Sequence, residues 1–422
     1  MNYEESLEYI HSVSWTFCKP GLERIMTLCS ALGNPQNDLK FIHIAGTNGK
    51  GSFSSMLDSV LRAAGYRVGL FTSPYIRYFN ERMCIDGEPI SCEELAEITS
   101  YVRPFADKMS DAPTEFELIT AIGFEYFKRN KCDVVILEAG MGGRLDSTNI
   151  IKTSVLSVIT GVSLDHTAYL GDTTQKIAEE KAGIIKNGVP VLFGGEDITA
   201  KRVIKDVALS RGSEFYEVDH RALQIKNFDL NGSEFDFGEH KDIKIKLLGA
   251  YQPRNAANVL TAIDILRARG FDIPQEKVKQ GLFSARWQGR FEVLLREPLV
   301  IFDGAHNPEG IDYAVKSIKD YFGDRKIYLF TGVLRDKDYG AIAKELSSVA
   351  SRAFVVTVPN PRALPSDEYA AILSASGVFA ESFSSNIENA LRAAKEAAKR
   401  DSVPLICLGS LYLYCEIIKF ID

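Results

Sequence analysis

A lysine set among glycines and hydroxyls, Gly46-Thr47-Asn48-Gly49-Lys50-Gly51-Ser52, has the composition of a phosphate cradle. Backbone N–H groups of a glycine-rich turn that opens a helix converge on anionic oxygens, and the helix dipole adds positive potential there. Lys50 would neutralise β and γ phosphates. Position 44 is Ile, so the strict G-x-x-x-x-G-K-[ST] pattern is not met, and a tight structural turn is the bland alternative. Other groups could do chemistry beside it. Glu138 precedes Ala139-Gly140-Met141-Gly142-Gly143-Arg144-Leu145-Asp146, and an anionic oxygen next to such a loop suits a magnesium ion. His166 is ambiguous, since imidazole is an uncommon magnesium ligand and a lone histidine is more often structural. Lys181, in Glu179-Glu180-Lys181, reads by itself as a solvated helix face. Asp303-Gly304-Ala305-His306-Asn307-Pro308 fits a strand-to-helix turn with Asn307 as cap and Pro308 at the first helical position. A helix start can also receive an anion, so the two readings of that turn are compatible.

Strands and helices must hold these groups. The apolar run Phe41–Ala45 reads as a buried strand entering the glycine-rich loop, and Phe53, Met56, Leu57, Val60, Leu61 and Ala64 recur at helical spacing after it. Strand Val68–Phe71 follows, and helical segments near Glu4–Ile10 and Leu22–Leu32 precede the loop. The alternation continues with helices over Cys92–Met109 and Phe116–Arg129, strands Val134–Glu138 and Ser154–Thr160, helix Thr174–Ile185, strand Val189–Phe193 and helix Ala200–Arg211. That order predicts a parallel sheet covered by helices, with Glu138 at the carboxyl end of a strand, where open α/β sheets bind ligands. Short alternating segments from Glu214 to Leu248, around Asn231-Gly232, predict a small antiparallel patch before helix Ala256–Arg269. The stretch Gly281–Glu297 is irregular, and a second strand–helix alternation starts at Leu299–Phe302, passes through Ile327–Phe330 and ends in helix Leu411–Phe420. An α/β chain of two domains is expected, residues 1–295 built on a P-loop-type parallel sheet and residues 296–422 forming a smaller Rossmann-like unit.

Composition agrees with two cores. A chain of 422 residues exceeds what one core usually supports, and 45% hydrophobic with 25% charged residues is ordinary for a globular protein. Lys plus Arg total 49 against Asp plus Glu 56, a net charge of −7, with no basic run that could track a phosphate backbone, so nucleic acid is excluded as a partner. Seven scattered cysteines (Cys18, Cys29, Cys84, Cys92, Cys132, Cys407, Cys415) never form a C-x-x-C pair, which points to reduced thiols in the cytoplasm. The acidic N-terminus is unlike a signal peptide, and no apolar run approaches the roughly 20 residues that cross a bilayer.

The motifs, taken in order, resemble one family across the chain. Gly46–Ser52, Thr72-Ser73-Pro74, Phe79-Asn80-Glu81-Arg82, Leu137–Asp146 with Thr148-Asn149, Leu164-Asp165-His166-Thr167 and Glu180–Ile184 are followed by Gln252 with Asn255. Then come Gly289-Arg290-Phe291-Glu292, Asp303–Pro308, Gly332–Asp338 and Gly409-Ser410-Leu411. Together they resemble the folylpolyglutamate synthase/dihydrofolate synthase family of the Mur ligase superfamily. Ala139, Met141 and Gln288 depart from common family residues without removing a functional group.

The resemblance implies an ATPase-type first domain and an ATP-dependent ligase that joins L-glutamate to the γ-carboxylate of a folate, or to dihydropteroate, through an acyl phosphate. It implies nucleotide contacts from Thr47, Asn48, Gly49, Lys50, Gly51, Ser52, Asn255, Arg290 and Asp303, and catalytic roles for Lys50, His166, Lys181, Arg290, Asp303 and His306. It also implies two magnesium ions held by Ser73, Glu138, His166 and a carbamylated Lys181. Charge supports the carbamate, because an ammonium about 4 Å from a dication is repelled by roughly 8 kcal/mol at an effective dielectric near 20, and a carbamate reverses the sign. Lys337 and Asp338 are further candidates for nucleotide or glutamate contact, and the regions Phe79–Arg82 and Phe116-Glu117 for the pterin. Closure of two domains would exclude water from the acyl phosphate. A monomer is expected. The alternative, a cell-wall Mur ligase, usually carries a further domain ahead of the loop, which here begins at residue 46.

Overall fold

In a computed structural model, residues 1–13 and 21–421 are described, so Cys18 lies outside the described residues. The chain separates into two compact units, one of residues 1–223, 237–243 and 254–285, the other of 224–236, 244–253 and 286–422.

The first unit is built on eight strands: β1 (Phe41–Ala45), β2 (Val68–Phe71), β3 (Met83–Ile85), β4 (Glu88–Pro89), β5 (Val134–Glu138), β6 (Ser154–Ile159), β7 (Val191–Phe193) and β8 (Phe215–Glu217). Their order in the sheet is β4-β3-β2-β5-β1-β6-β7-β8. Pairing is parallel from β2 to β8, and only the β4-β3-β2 edge is antiparallel. Every residue of β1, β2 and β5 is buried, as expected of strands covered on both faces. The register places Ile44 opposite Glu138 and Val158, and Phe71 opposite Leu137. The loops that follow β1, β2, β5 and β6 therefore leave from one edge of the sheet. Helix Lys50–Ala63 runs back across it with Ser52 to Leu61 all buried, and Ser59 Oγ donates to Gly281 O at 2.7 Å, fixing it to helix Gln275–Ser284.

Strand β8 extends the parallel sheet instead of joining the antiparallel patch expected from residue 214 onwards. That patch is confined to β9 (Leu223–Asp229), β10 (Gly232–Phe237) and β11 (His240–Ile245), joined by two-residue turns in the order β11-β10-β9.

The second unit holds β12 (Glu292–Arg296), β13 (Leu299–Phe302), β14 (Ile327–Thr331), β15 (Ala350–Val355), β16 (Phe379–Ser382) and β17 (Leu405–Leu408), in the order β12-β13-β17-β14-β15-β16. All neighbours are parallel except β12, which pairs antiparallel with β13 across Glu297-Pro298. The long continuous stretch of this unit begins at Arg286, where a boundary near 296 was expected, because β12 completes this sheet; residues 224–236 and 244–253 also belong to it. Its core includes Phe291, Ile301, Ile311, Leu329, Leu346, Val355, Leu373 and Ile406.

Candidate functional site

In the first unit the Gly46–Ser52 loop is tied to the end of β6. Thr47 N–H donates to Gly161 O at 2.9 Å, Thr160 Oγ1 to Asn48 O at 2.7 Å, and Thr47 Oγ1 to Ser163 O at 3.2 Å. Gly49 is the N-cap of helix Lys50–Ala63 at φ +85°, and a Cβ there would come within 2.9 Å of Asn255 Oδ1. Only glycine fits that conformation and clearance without strain. The helix start has no side-chain cap, so its first N–H groups are not taken up by a capping side chain.

Lys50 Nζ donates to Gly46 O at 3.0 Å and Thr47 O at 3.3 Å, and lies 3.9 Å from Glu138 Oε1. Glu138 is only 3% exposed. A buried carboxylate is tolerable beside cations. From the neighbouring strand end, Ser73 Oγ is buried with no hydrogen-bond partner. Lys181 is 3% exposed, so the solvated-face reading of this residue is excluded. Its burial follows from the glycines after Glu138: a Cβ on Gly143 would lie 2.9 Å from Glu180 O and 3.0 Å from Lys181 O, so the glycine-rich loop and helix Thr174–Ala182 meet backbone to backbone. His166 is exposed, in the left-handed region at φ +50°, and its N–H donates to Asp165 Oδ1 at 2.9 Å.

A buried relay supports the same loops and escaped the sequence reading. On β1, fully buried His43 meets Thr148 Oγ1 through Nε2 at 2.9 Å; Thr148 Oγ1 donates to Asp146 Oδ1 at 2.5 Å, and Asp146 Oδ2 accepts the Met141 N–H at 2.9 Å. Burial lowers the His43 imidazole to about 3, keeping it neutral, and raises the Asp146 carboxyl against four hydrogen bonds. Nothing local in Phe41–Ala45 announces this, since its partners stand more than a hundred residues away.

Several expected pterin contacts are engaged in structure. Glu117 closes a capping box with Thr114 and pairs with Arg24 at 3.0 Å. Asn80 Nδ2 donates to Ile90 O, and Asn80 Oδ1 accepts from the Tyr3 hydroxyl. Arg82 lies over the rings of Tyr75 and Phe79 at 5.0 and 5.8 Å. Phe116 packs against Phe71 with ring centroids 6.1 Å apart.

In the second unit Asp303 directly follows β13 and is 3% exposed. Its Oδ2 accepts from the Tyr251 hydroxyl at 2.7 Å and the Phe291 N–H at 2.9 Å, and its Oδ1 accepts from the Ala305 N–H at 2.8 Å. Burial raises this carboxyl, while the Arg290 guanidinium and the three donors oppose the rise. Arg290 Nη1 donates to Gly289 O at 3.1 Å, and His306 Nδ1 meets Gly304 O at 2.7 Å. Asn307 and Pro308 take the expected cap and first helical positions, with Asn307 Oδ1 accepting the Gly310 N–H at 2.8 Å. Asp338 caps helix Tyr339–Ser347, accepting from Ala341 N–H, and Lys337 N–H donates to Leu334 O.

Residues 44–266 match the Mur ligase middle domain and residues 289–410 the Mur ligase glutamate ligase domain. The folylpolyglutamate synthase of Lacticaseibacillus casei is 38% identical, over 98% of this chain and 97% of its own length. This chain belongs to the folylpolyglutamate synthase/dihydrofolate synthase family. The dihydrofolate synthase/folylpolyglutamate synthase of Bacillus subtilis (strain 168) is 36% identical over 99% and 98% of the two chains. A solved FPGS–AMPPCP–folate complex superposes with a TM-score of 0.86 at 35% identity, covering both chains completely.

Membership in this family raises the question of metal. No group of three or more His, Cys, Asp or Glu comes together among the described residues. The residues present fit a magnesium ion: Ser73 offers a buried hydroxyl lacking a partner, and Glu138 a buried carboxylate.

Proposed function

We propose that this chain is an ATP-dependent amide ligase that adds L-glutamate to the γ-carboxylate of a folate through an acyl phosphate. The observation that carries this reading is the Lys50 ammonium 3.9 Å from the buried Glu138 carboxylate, at a helix start left without a side-chain cap, in a chain of this family. The N–H groups of Asn48 to Ser52 orient the triphosphate, and Lys50 exchanges its loop carbonyls for phosphate oxygens. Two magnesium ions held by Ser73, Glu138, His166 and a carbamylated Lys181 would supply charge neutralisation at the β and γ phosphates. Asn255 borders the nucleotide loop, and Arg290, Asp303 and His306 serve nucleotide binding and phosphoryl transfer. The folate carboxylate oxygen attacks the γ-phosphorus and ADP leaves. The glutamate amine then attacks the acyl carbon, and inorganic phosphate departs.

The finer reading also includes dihydropteroate as a second acceptor, a monomeric enzyme and a cytoplasmic address. The scattered thiols, unbridged among the described residues, support that address. Among the described residues no helix is long and apolar enough to cross a membrane.

The test is phosphate release from MgATP and glutamate, with bicarbonate present, tetrahydrofolate and dihydropteroate offered separately, and products identified by mass. Turnover with tetrahydrofolate supports the reading, and turnover with both makes the enzyme bifunctional. Silence with both, from folded protein, overturns it.

A further inference from the structure

Arg290 sits in a turn whose backbone is strained. Gly289 has φ +69° and Phe291, a bulky residue, φ +44°. Left-handed conformations of that kind are unfavourable for a bulky non-glycine residue and persist only where surroundings fix them. Two carboxylates do so here. Asp303 Oδ2 accepts the Phe291 N–H at 2.9 Å on one side, and Glu292 Oε2 accepts the Gly289 N–H at 2.7 Å on the other. Each of those oxygens also receives a tyrosine hydroxyl, Tyr251 on Asp303 at 2.7 Å and Tyr414 on Glu292 at 2.9 Å. Gly304 N–H closes the turn by donating to Gly289 O at 2.9 Å, and the absence of a side chain at Gly304 leaves room for the guanidinium, whose Nη1 would lie 2.1 Å from a Cβ there. The Phe291 ring is buried and stacked on Tyr321 at 5.1 Å, which anchors the turn from below.

We propose that Tyr251, Tyr414 and Glu292 are positioning residues for Arg290: the two tyrosine–carboxylate pairs hold the strained turn in the conformation that aims the guanidinium. This rests on the reading of Arg290 as a residue of phosphoryl transfer. Tyr414 is fully buried and comes from the helix Tyr412–Lys419, over a hundred residues from the turn, so its hydroxyl is placed by the tertiary fold. Removing either hydroxyl leaves a carboxylate oxygen with one donor fewer and frees the turn to relax, misdirecting a cation whose value lies in its placement.

The experiment compares Tyr251→Phe, Tyr414→Phe, Glu292→Gln and Glu292→Ala, alone and combined with Arg290→Ala, in full-length protein. It reads kcat, KM for folate, AMPPCP affinity by calorimetry, and Tm. Each Tyr→Phe change is expected to lower kcat about tenfold with KM for folate unchanged, and Glu292→Gln, which keeps an acceptor, to retain more activity than Glu292→Ala. In the Arg290→Ala background the tyrosine changes should cost nothing further, as coupled groups are not additive. A lowered Tm with wild-type kcat and AMPPCP affinity, or full additivity with Arg290→Ala, overturns the positioning role. Should Arg290→Ala itself turn over like wild type, the reading of Arg290 fails first and the positioning role with it.

Discussion

The loops after β1 and β13 look alike in sequence, each a strand, a glycine and a helix start, yet they differ in what they leave available. Helix Lys50–Ala63 opens with Gly49 and no side-chain cap, and it carries no acidic residue in its first turn. Helix Pro308–Phe322 opens with Asn307 bonded to the Gly310 N–H, has Pro308 with no N–H to offer, and has Glu309 in its first turn. An anion is attracted to the first start and meets an occupied one at the second. Asp303, the most conspicuous carboxylate of the second loop, is spent inward on Tyr251, Phe291 and Ala305. The same local grammar therefore leaves an open helix start in one unit and, on the reading above, a brace for Arg290 in the other.

Breaking the first loop should have the largest effect. Lys50→Ala is expected to cost about 3 kcal/mol or more of transition-state stabilisation, over a hundredfold in kcat, with the fold intact by circular dichroism. Near wild-type turnover would remove the phosphate role from this loop and erase the contrast.

The strand entering the first loop carries buried His43, whereas β13 is wholly apolar, so acid should weaken the first unit in a way that a mutation can isolate. The His43 pKa is depressed from 6.5 to about 3, so below pH 6.5 the unfolded chain binds a proton that the folded chain refuses. The stability conferred by the neutral imidazole is present above pH 6.5 and is lost as pH falls towards 3, by about 2 kcal/mol between pH 6.5 and 5. Thermal melts at those two pH values should show His43→Gln losing less stability on acidification than wild type. Parallel losses would mean that His43 is not held neutral.

The smallest effect is expected at the second helix start. Asn307→Ala should cost about 1 kcal/mol of stability and leave AMPPCP affinity within twofold of wild type, as the loss of a cap predicts. A tenfold loss of affinity without a change in Tm would show that this start also binds the nucleotide, and the comparison would collapse.

Much of the scaffold could be read in the sequence because its signals are local. Strands β1, β2, β5 and β13 fall where continuous apolar runs placed them, and Gly49, Asn307 and Pro308 sit where their backbone chemistry requires. Helix Gln275–Ser284 and strand β12 lie in a stretch that reads as irregular: the helix packs on Lys50–Ala63 far away in sequence, and the five residues of β12 are too few to declare a strand joined to β13 across Glu297-Pro298. Strand β8 was assigned to the antiparallel patch because three residues have too little period to declare a sheet.

The sequence by itself determined the family motifs, their order and the residue types available for phosphate, metal and carboxylate chemistry, since turn and helix-start preferences act within a few residues. Tertiary structure decided which of those groups face inward and which remain for a ligand. It buried Lys181 against Gly143, turned Glu117 and Asn80 into struts, joined His43 to Asp146 through Thr148, and braced Arg290 with tyrosines from distant segments. The physical reason is that a side chain's desolvation and hydrogen-bond partners are set by segments far away along the chain, and no local pattern encodes them.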